Sequence, residues 1–230
     1  MKDEVVQNGK WEFNAEVTKV FDDMLSRSIP DYFGMRYLTT ELALAFAQKR
    51  TDIVDLGCSR GAALKPIINA LGTREYKYVG LEISPPMLEA SRAEVPDADI
   101  REFDLRKGYP EVISSVTLSI LTLQFIPIEY RQRIIQDAYN SLTNNGIFLF
   151  VEKVLGNDSY ADKVLVETYL DGKGDNGYTQ EQINAKRSAL EGVLVPVTSK
   201  WNEDMLRSAG FKHVECYWRH LNFAGWFAVK

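Results

Sequence analysis

Four side chains, Asp55, Glu82, Asp104 and Arg187, stand where they could do chemistry on a small polar ligand. Asp55 lies in the apolar run Ile53-Val54-Asp55-Leu56, directly before Gly57-Cys58-Ser59-Arg60-Gly61. Glycines at both ends of that loop let the backbone turn sharply beside a ligand. Ala62, Ala63, Leu64, Ile67 and Ile68 begin a helix pattern behind it, so the loop's free N–H groups sit at a helix N-terminus. Glu82 follows the strand-like run over 76–81, and Asp104 follows another over 98–103. A carboxylate at the carboxyl end of a strand can accept hydrogen bonds from both hydroxyls of a ribose, and one on a neighbouring strand can accept from an adenine amino group. The bland alternatives are a helix-dipole partner for Glu82 and an ordinary turn for Asp104. The fourth group, Arg187, falls in the series Ile183, Arg187, Leu190, Leu194, spaced by four, three and four residues. That spacing predicts a guanidinium inside an apolar helical stripe, where it needs an anion. Its planar fork suits a carboxylate, and spacing leaves open whether the protein, a ligand or a neighbouring subunit provides it.

Elements that position these groups alternate between strand and helix. Asn14 caps a one-faced helix with Val17, Val20, Phe21, Met24 and Leu25. An irregular stretch over 28–33 follows, in which Tyr32 is either a core residue or a lid, and then a helix marked by Leu38, Leu42 and Phe46. Ser84-Pro85-Pro86 reads as a cap with prolines in the first helical turn. A fourth strand and its exit span 116–125; a helix opens at Pro127 and ends at Asn144-Asn145-Gly146; a fifth strand spans 147–151, with Glu152 and Lys153 at its exit. The glycines of 171–178 predict a mobile or sharply turned loop, and Thr179 with Gln182 forms a capping box. Ser199 caps a last helix that Gly210 ends, before a hairpin over 213–218 and 222–229. This order predicts an α/β doubly wound fold with a mostly parallel sheet of seven strands, one of them antiparallel. The glycine loop is neither a dinucleotide fingerprint nor a phosphate loop. A strand, an acid, a glycine turn and a helix are instead the pattern of S-adenosylmethionine (SAM) enzymes.

Composition narrows the function classes. With 230 residues, 45% hydrophobic and 26% charged, the chain suits one soluble domain. We expect an N-terminal helical cap (1–50), a SAM-binding core (51–153), a helical insertion serving the active site and a dimer interface (154–198), and a C-terminal helix and hairpin (199–230). No apolar run reaches the ~20 residues of a membrane span, and the N-terminus lacks a secretory pattern. The net charge of −5 and scattered basic residues argue against direct nucleic-acid binding and for a small-molecule substrate. Cys58 and Cys216 suggest neither a disulfide nor a metal site, which fits the cytoplasm. No Pro-Cys nucleophile or Asp/Asn-Pro-Pro-aromatic tetrad of nucleic-acid methyltransferases is present, and His213 and His220 lie in the hairpin, away from the loops.

The chain resembles the carboxy-S-adenosylmethionine synthases, enzymes of the class I SAM methyltransferase fold, which is Rossmann-like. The resemblance runs through Trp11-Glu12-Phe13, Val20-Phe-Asp-Asp-Met24, Arg27-Ser-Ile-Pro30, Asp55-Leu-Gly-Cys-Ser59, Ser84-Pro-x-Met87, Thr122-Leu-Gln-Phe125, Asn176-Gly-Tyr178, Lys186-Arg-Ser188 and Asn222-Phe223. It implies that SAM and prephenate give carboxy-SAM and phenylpyruvate, through a sulfonium ylide that captures carbon dioxide. The product serves modification of wobble uridines in transfer RNA. The resemblance further implies that Tyr32, Gly57, Cys58, Ser59, Glu82, Ile83, Asp104 and Leu105 line the SAM pocket. Ile120 stands at the position of a family asparagine in that pocket. By the same resemblance, Arg187 is the arginine that meets the new carboxylate across a homodimer interface. Glu82-Ile83 replaces the family's Asp-Asn, keeping the carboxylate one methylene longer. The rival readings are an ordinary small-molecule methyltransferase and a non-catalytic SAM-binding protein.

Overall fold

Ile147 and Leu149 point to one side of their strand and Phe148 and Phe150 to the other, all of them buried. With side chains alternating at a period of two, a strand apolar at every position must be covered on both faces. The computed structural model describes residues 1–7 and 9–230. Its sheet is built from β1 (Asp52–Leu56), β2 (Lys77–Glu82), β3 (Asp99–Glu102), β4 (Ser114–Ile120), β5 (Leu142–Leu155), β6 (Val197–Thr198), β7 (His213–His220) and β8 (Phe223–Val229). The expected seven strands, with one antiparallel, are present in the order β3-β2-β1-β4-β5-β8-β7, and β8 is the strand antiparallel to both neighbours. The two-residue β6 is an addition, paired with Val154 and Leu155 at the far end of β5.

Helices cover the two faces. On one side α5 (Ile128–Ser141) and α8 (Ser199–Ser208) pack Ile134, Ile135 and Leu206 on Val54, Phe148, Phe150 and Trp226. On the other, α2 (Tyr32–Phe46), α3 (Leu64–Leu71) and α4 (Pro85–Glu94) bring Ala43, Ile67 and Leu88 against Ile53, Tyr78 and Leu149. Across the strands' carboxyl ends lies α1 (Ala15–Ser28), capped by Asn14, which accepts from the N–H groups of Glu16 and Val17. It packs with Trp11 on Met87 of α4 and Ala189 of α7 (Gln180–Leu190). The cap at Ser84 and the Thr179–Gln182 capping box form as expected.

Three local expectations are corrected. Residues 171–175 are not a loop: α6 (Ser159–Asp175) runs through Gly172 and Gly174, and only Asn176–Tyr178 turns. Asp158 caps its start, and burial of Tyr169 and Lys173 along one face overrides the ~1 kcal/mol that each glycine costs a helix. The helix α2 begins at Tyr32, so the irregular stretch is shorter than predicted. The strand β5 extends from Leu142 to Leu155, which places the Asn144-Asn145-Gly146 turn, Glu152 and Lys153 inside it; the last two pair with Ala224 and Phe223 of β8.

Candidate active site

At the carboxyl ends of β1, β2 and β4 two adjoining cavities share walls of Trp11, Phe13, Gly57, Ser59, Thr122 and Phe125. Tyr32, Cys58 and Ile120 line the inner one; Glu82, Ile83, Asp104 and Leu105 line its neighbour. Nine of the ten residues expected in the pocket are thus brought together, and Arg187 is not among them.

The loop between β1 and α3 takes its shape from left-handed residues, Gly57 at φ 73°, Ser59 at φ 48° and Gly61 at φ 79°. A Cβ at Gly57 would collide with the Thr122 side chain, so glycine is required there. Glu82 holds the loop from the neighbouring strand. Its Oε2 accepts from the Ser59 N–H at 2.9 Å, and its Oε1 accepts from Ile83 at 2.7 Å and Ser84 at 2.9 Å. Asp104 is gripped by Arg106 through two contacts of 2.8 Å, and those hydrogen bonds hold its carboxyl below the usual range. The hydroxyl of Ser84 donates to the Phe13 carbonyl at 2.6 Å, which fastens the N-terminal segment over this end.

The inner cavity is different. Asp55 is buried in its wall, and burial pushes its carboxyl up to about 7, opposed by the Arg36 guanidinium and aided by Glu82. Burial also pushes the Cys58 thiol far up, so it packs rather than reacts. Glu152 accepts from the Leu123 and Gln124 N–H groups at 2.9 and 2.6 Å and so fixes the turn after β4. Three lysines, Lys153, Lys173 and Lys186, close the far end. Lys186 pairs with Asp3, which also accepts from the Tyr178 hydroxyl at 2.5 Å; both members of the pair are buried. Among the described residues the ammonium groups of Lys153 and Lys173 make no ion pair, and aromatic rings lie beside them: the Tyr169 ring lies 4.6 Å from the Lys153 ammonium and 5.7 Å from that of Lys173, and Tyr178 lies 5.0 Å from the latter. Burial lowers both ammonium groups to about 8.

Arg187 corrects the sequence expectation. It is exposed, and the buried face of α7 carries Ile183, Lys186 and Ala189. The predicted stripe needed a helix reaching Leu194, but α7 stops at Leu190 and Gly192 turns at φ 73°. The buried cation is therefore the neighbouring residue. Arg187 lines an outer cavity that shares Lys153, Tyr169, Lys173, Lys186, Leu190 and Leu194 with the inner one. Sequence reasoning missed Arg36, Lys153, Lys173 and Lys186 as site residues; a lysine between glycines carries no signal until the helix around it is known. Among the described residues no cluster of metal-ligating side chains occurs, and no helix is long and apolar enough to cross a membrane.

The sheet order and a glycine loop braced by an acid at the end of β2 define the class I SAM methyltransferase fold. A methyltransferase domain family matches residues 54–148. An O-methyltransferase family protein from Burkholderia thailandensis superposes with TM-score 0.66 at 15% identity, over 95% of this chain and 60% of that one. Sequence relatives are more specific. The carboxy-S-adenosyl-L-methionine synthase of Methylococcus capsulatus is 39% identical over 95% of this chain and 93% of its own. That of Wolinella succinogenes is 40% identical over 96% and 94%. The chain belongs to the carboxy-S-adenosyl-L-methionine synthase family of SAM-dependent transferases.

Proposed function

We propose that this protein converts SAM and prephenate to carboxy-SAM and phenylpyruvate, supplying a cytoplasmic pathway that modifies wobble uridines of transfer RNA. The observation that carries the reading is a pair of adjoining cavities with chemically distinct ends: the Glu82 and Asp104 carboxylates at one and, at the other, two ammonium groups that make no ion pair among the described residues. The residues fit SAM. Glu82 spends two lone pairs of Oε1 and one of Oε2 on backbone donors and keeps one on Oε2 for a ribose hydroxyl, and Asp104, held ionised by Arg106, faces the adenine. Gly57, Cys58 and Ser59 bring backbone close to the ligand, Ile83 and Leu105 flank the base, and Tyr32 and Ile120 border the methionine part. SAM supplies the methyl carbon that is carboxylated. The chain's task is to hold that carbon beside the carboxyl donor in a site from which water is excluded.

In this reading Arg187 is the anchor of the new carboxylate, and a second copy of the chain delivers it in a homodimer through the insertion over 154–198. Exposure of Arg187, with no ion pair among the described residues, supports such a role. Arg187→Ala should abolish accumulation of carboxylated product while leaving SAM binding intact, and full product formation by the variant would remove the assignment. Ile120 keeps a second reading in view, because an apolar side chain stands where the family asparagine is expected; it favours an ordinary methyltransferase with another acceptor. Mass spectrometry of the small molecule released on denaturation separates the two. A cofactor heavier than SAM by carbon dioxide supports the first reading, and SAM or its demethylated product alone, after incubation with prephenate, supports the second.

A further inference from the structure

Burying an ammonium group without a counter-charge is costly, and a chain that does so leaves it for a ligand or loses its proton. Lys173 is 7% exposed and faces a cavity. Asp3, the acid whose charge bears on Lys173, is already engaged by Lys186 and the Tyr178 hydroxyl. Asp162, which bears on Lys153, accepts instead from the Gly156 N–H at 2.8 Å. The two free ammonium groups flank one ring, Tyr169, and contact with its face steadies a cation without cancelling its charge. Both are on regular elements, Lys153 on β5 with its N–H donating to Gln124 Oε1 at 2.8 Å and Lys173 on α6. With Lys186 they line the inner cavity and the outer one alike, whereas the outer cavity shares no residue with the Glu82 end.

We propose that Lys153 and Lys173 form a carboxylate subsite that holds the carboxylate the donor keeps, while its other carboxyl group is transferred. The assignment rests on the carboxylation reading above. An organic acid entering from the outer cavity meets these lysines before it reaches the inner cavity, and the subsite orients it there. Lys186 is outside the subsite, because Asp3 neutralises it.

The test measures prephenate KM, kcat and SAM affinity for Lys153→Gln, Lys173→Met and the charge-retaining Lys173→Arg, and phenylpyruvate binding by calorimetry with SAM present. We expect the two neutral variants to raise prephenate KM at least tenfold and to lose phenylpyruvate binding, with SAM affinity within twofold of the parent and partial recovery in Lys173→Arg. If the parent makes carboxy-SAM and the neutral variants keep its prephenate KM, the subsite is overturned and the reaction stands. If the parent makes no carboxy-SAM, the reaction fails, and the subsite is judged by phenylpyruvate alone: binding abolished by the neutral substitutions upholds an organic-acid site, and equal or absent binding in parent and variants overturns it. Should Lys173→Met not fold, Lys153→Gln decides by the same readings.

Discussion

At the Glu82 end of the cavity both carboxylates are met by the chain itself, three backbone N–H groups on Glu82 and the Arg106 fork on Asp104. At the far end, Lys186 is paired with Asp3, but among the described residues Lys153 and Lys173 have no ion pair and lie beside aromatic rings. The first arrangement is preorganised: its charges are in place and hydrogen-bonded before a ligand arrives, so it suits hydroxyls and amines that need geometry more than charge. The second stores uncompensated positive charge, so its ligand must bring the negative one. The contrast between Lys186 and Lys173 within that end teaches the same lesson at closer range, since burial alone does not assign a cation to structure or to binding.

The comparison can be broken most forcefully at Lys186. Lys186→Met leaves Asp3 buried without its cation and should destabilise the fold by about 3–5 kcal/mol in urea denaturation. Lys173→Met, which strips no partner, should cost far less, and equal losses would erase the distinction between them. Next in size is Glu82→Ala. It removes the brace of the glycine loop and the proposed ribose acceptor, and SAM affinity by calorimetry should fall about a hundredfold.

The third effect is a pH dependence confined to the cationic end. Burial lowers the Lys153 and Lys173 ammonium groups to about 8. Asp162 opposes that shift at Lys153 and Arg187 adds to it; at Lys173, Lys186, Lys153 and Arg27 add to it and Asp3 opposes it. A lowered pKa means that the free protein loses these protons as pH rises through about 8, while a bound anion needs them. Phenylpyruvate affinity should therefore be flat below pH 7 and fall about tenfold per pH unit above 8 for each proton required. SAM affinity should not follow that curve, and parallel profiles would merge the two ends into one. The smallest effect is expected of Ile120→Asn, which returns an amide to the inner cavity. A gain of one hydrogen bond should tighten SAM binding about threefold to tenfold, and a loss would show that the apolar side chain is adapted to this pocket.

Much of the first end was legible in the chain order. Asp55, Gly57 and Glu82 follow or precede apolar runs at strand ends, and the caps at Asn14, Ser84 and Thr179 act within three residues of themselves. Local periodicity also implied the parallel sheet and its antiparallel return strand, because strands apolar at every position need helices on both faces. The far end was not legible. Asp3 and Lys186 are separated by 183 positions, and no spacing rule connects them. Lys173 looked like part of a glycine loop until packing of Tyr169 made that segment a helix, and Arg187 looked buried until α7 stopped at Leu190. The sequence by itself determined the elements, their caps and the acid-and-glycine loop, since these depend on backbone preference and nearest neighbours. Only tertiary structure decided which cations are paired and which face the cavity, since the cost of burying a charge depends on what distant parts of the chain bring beside it.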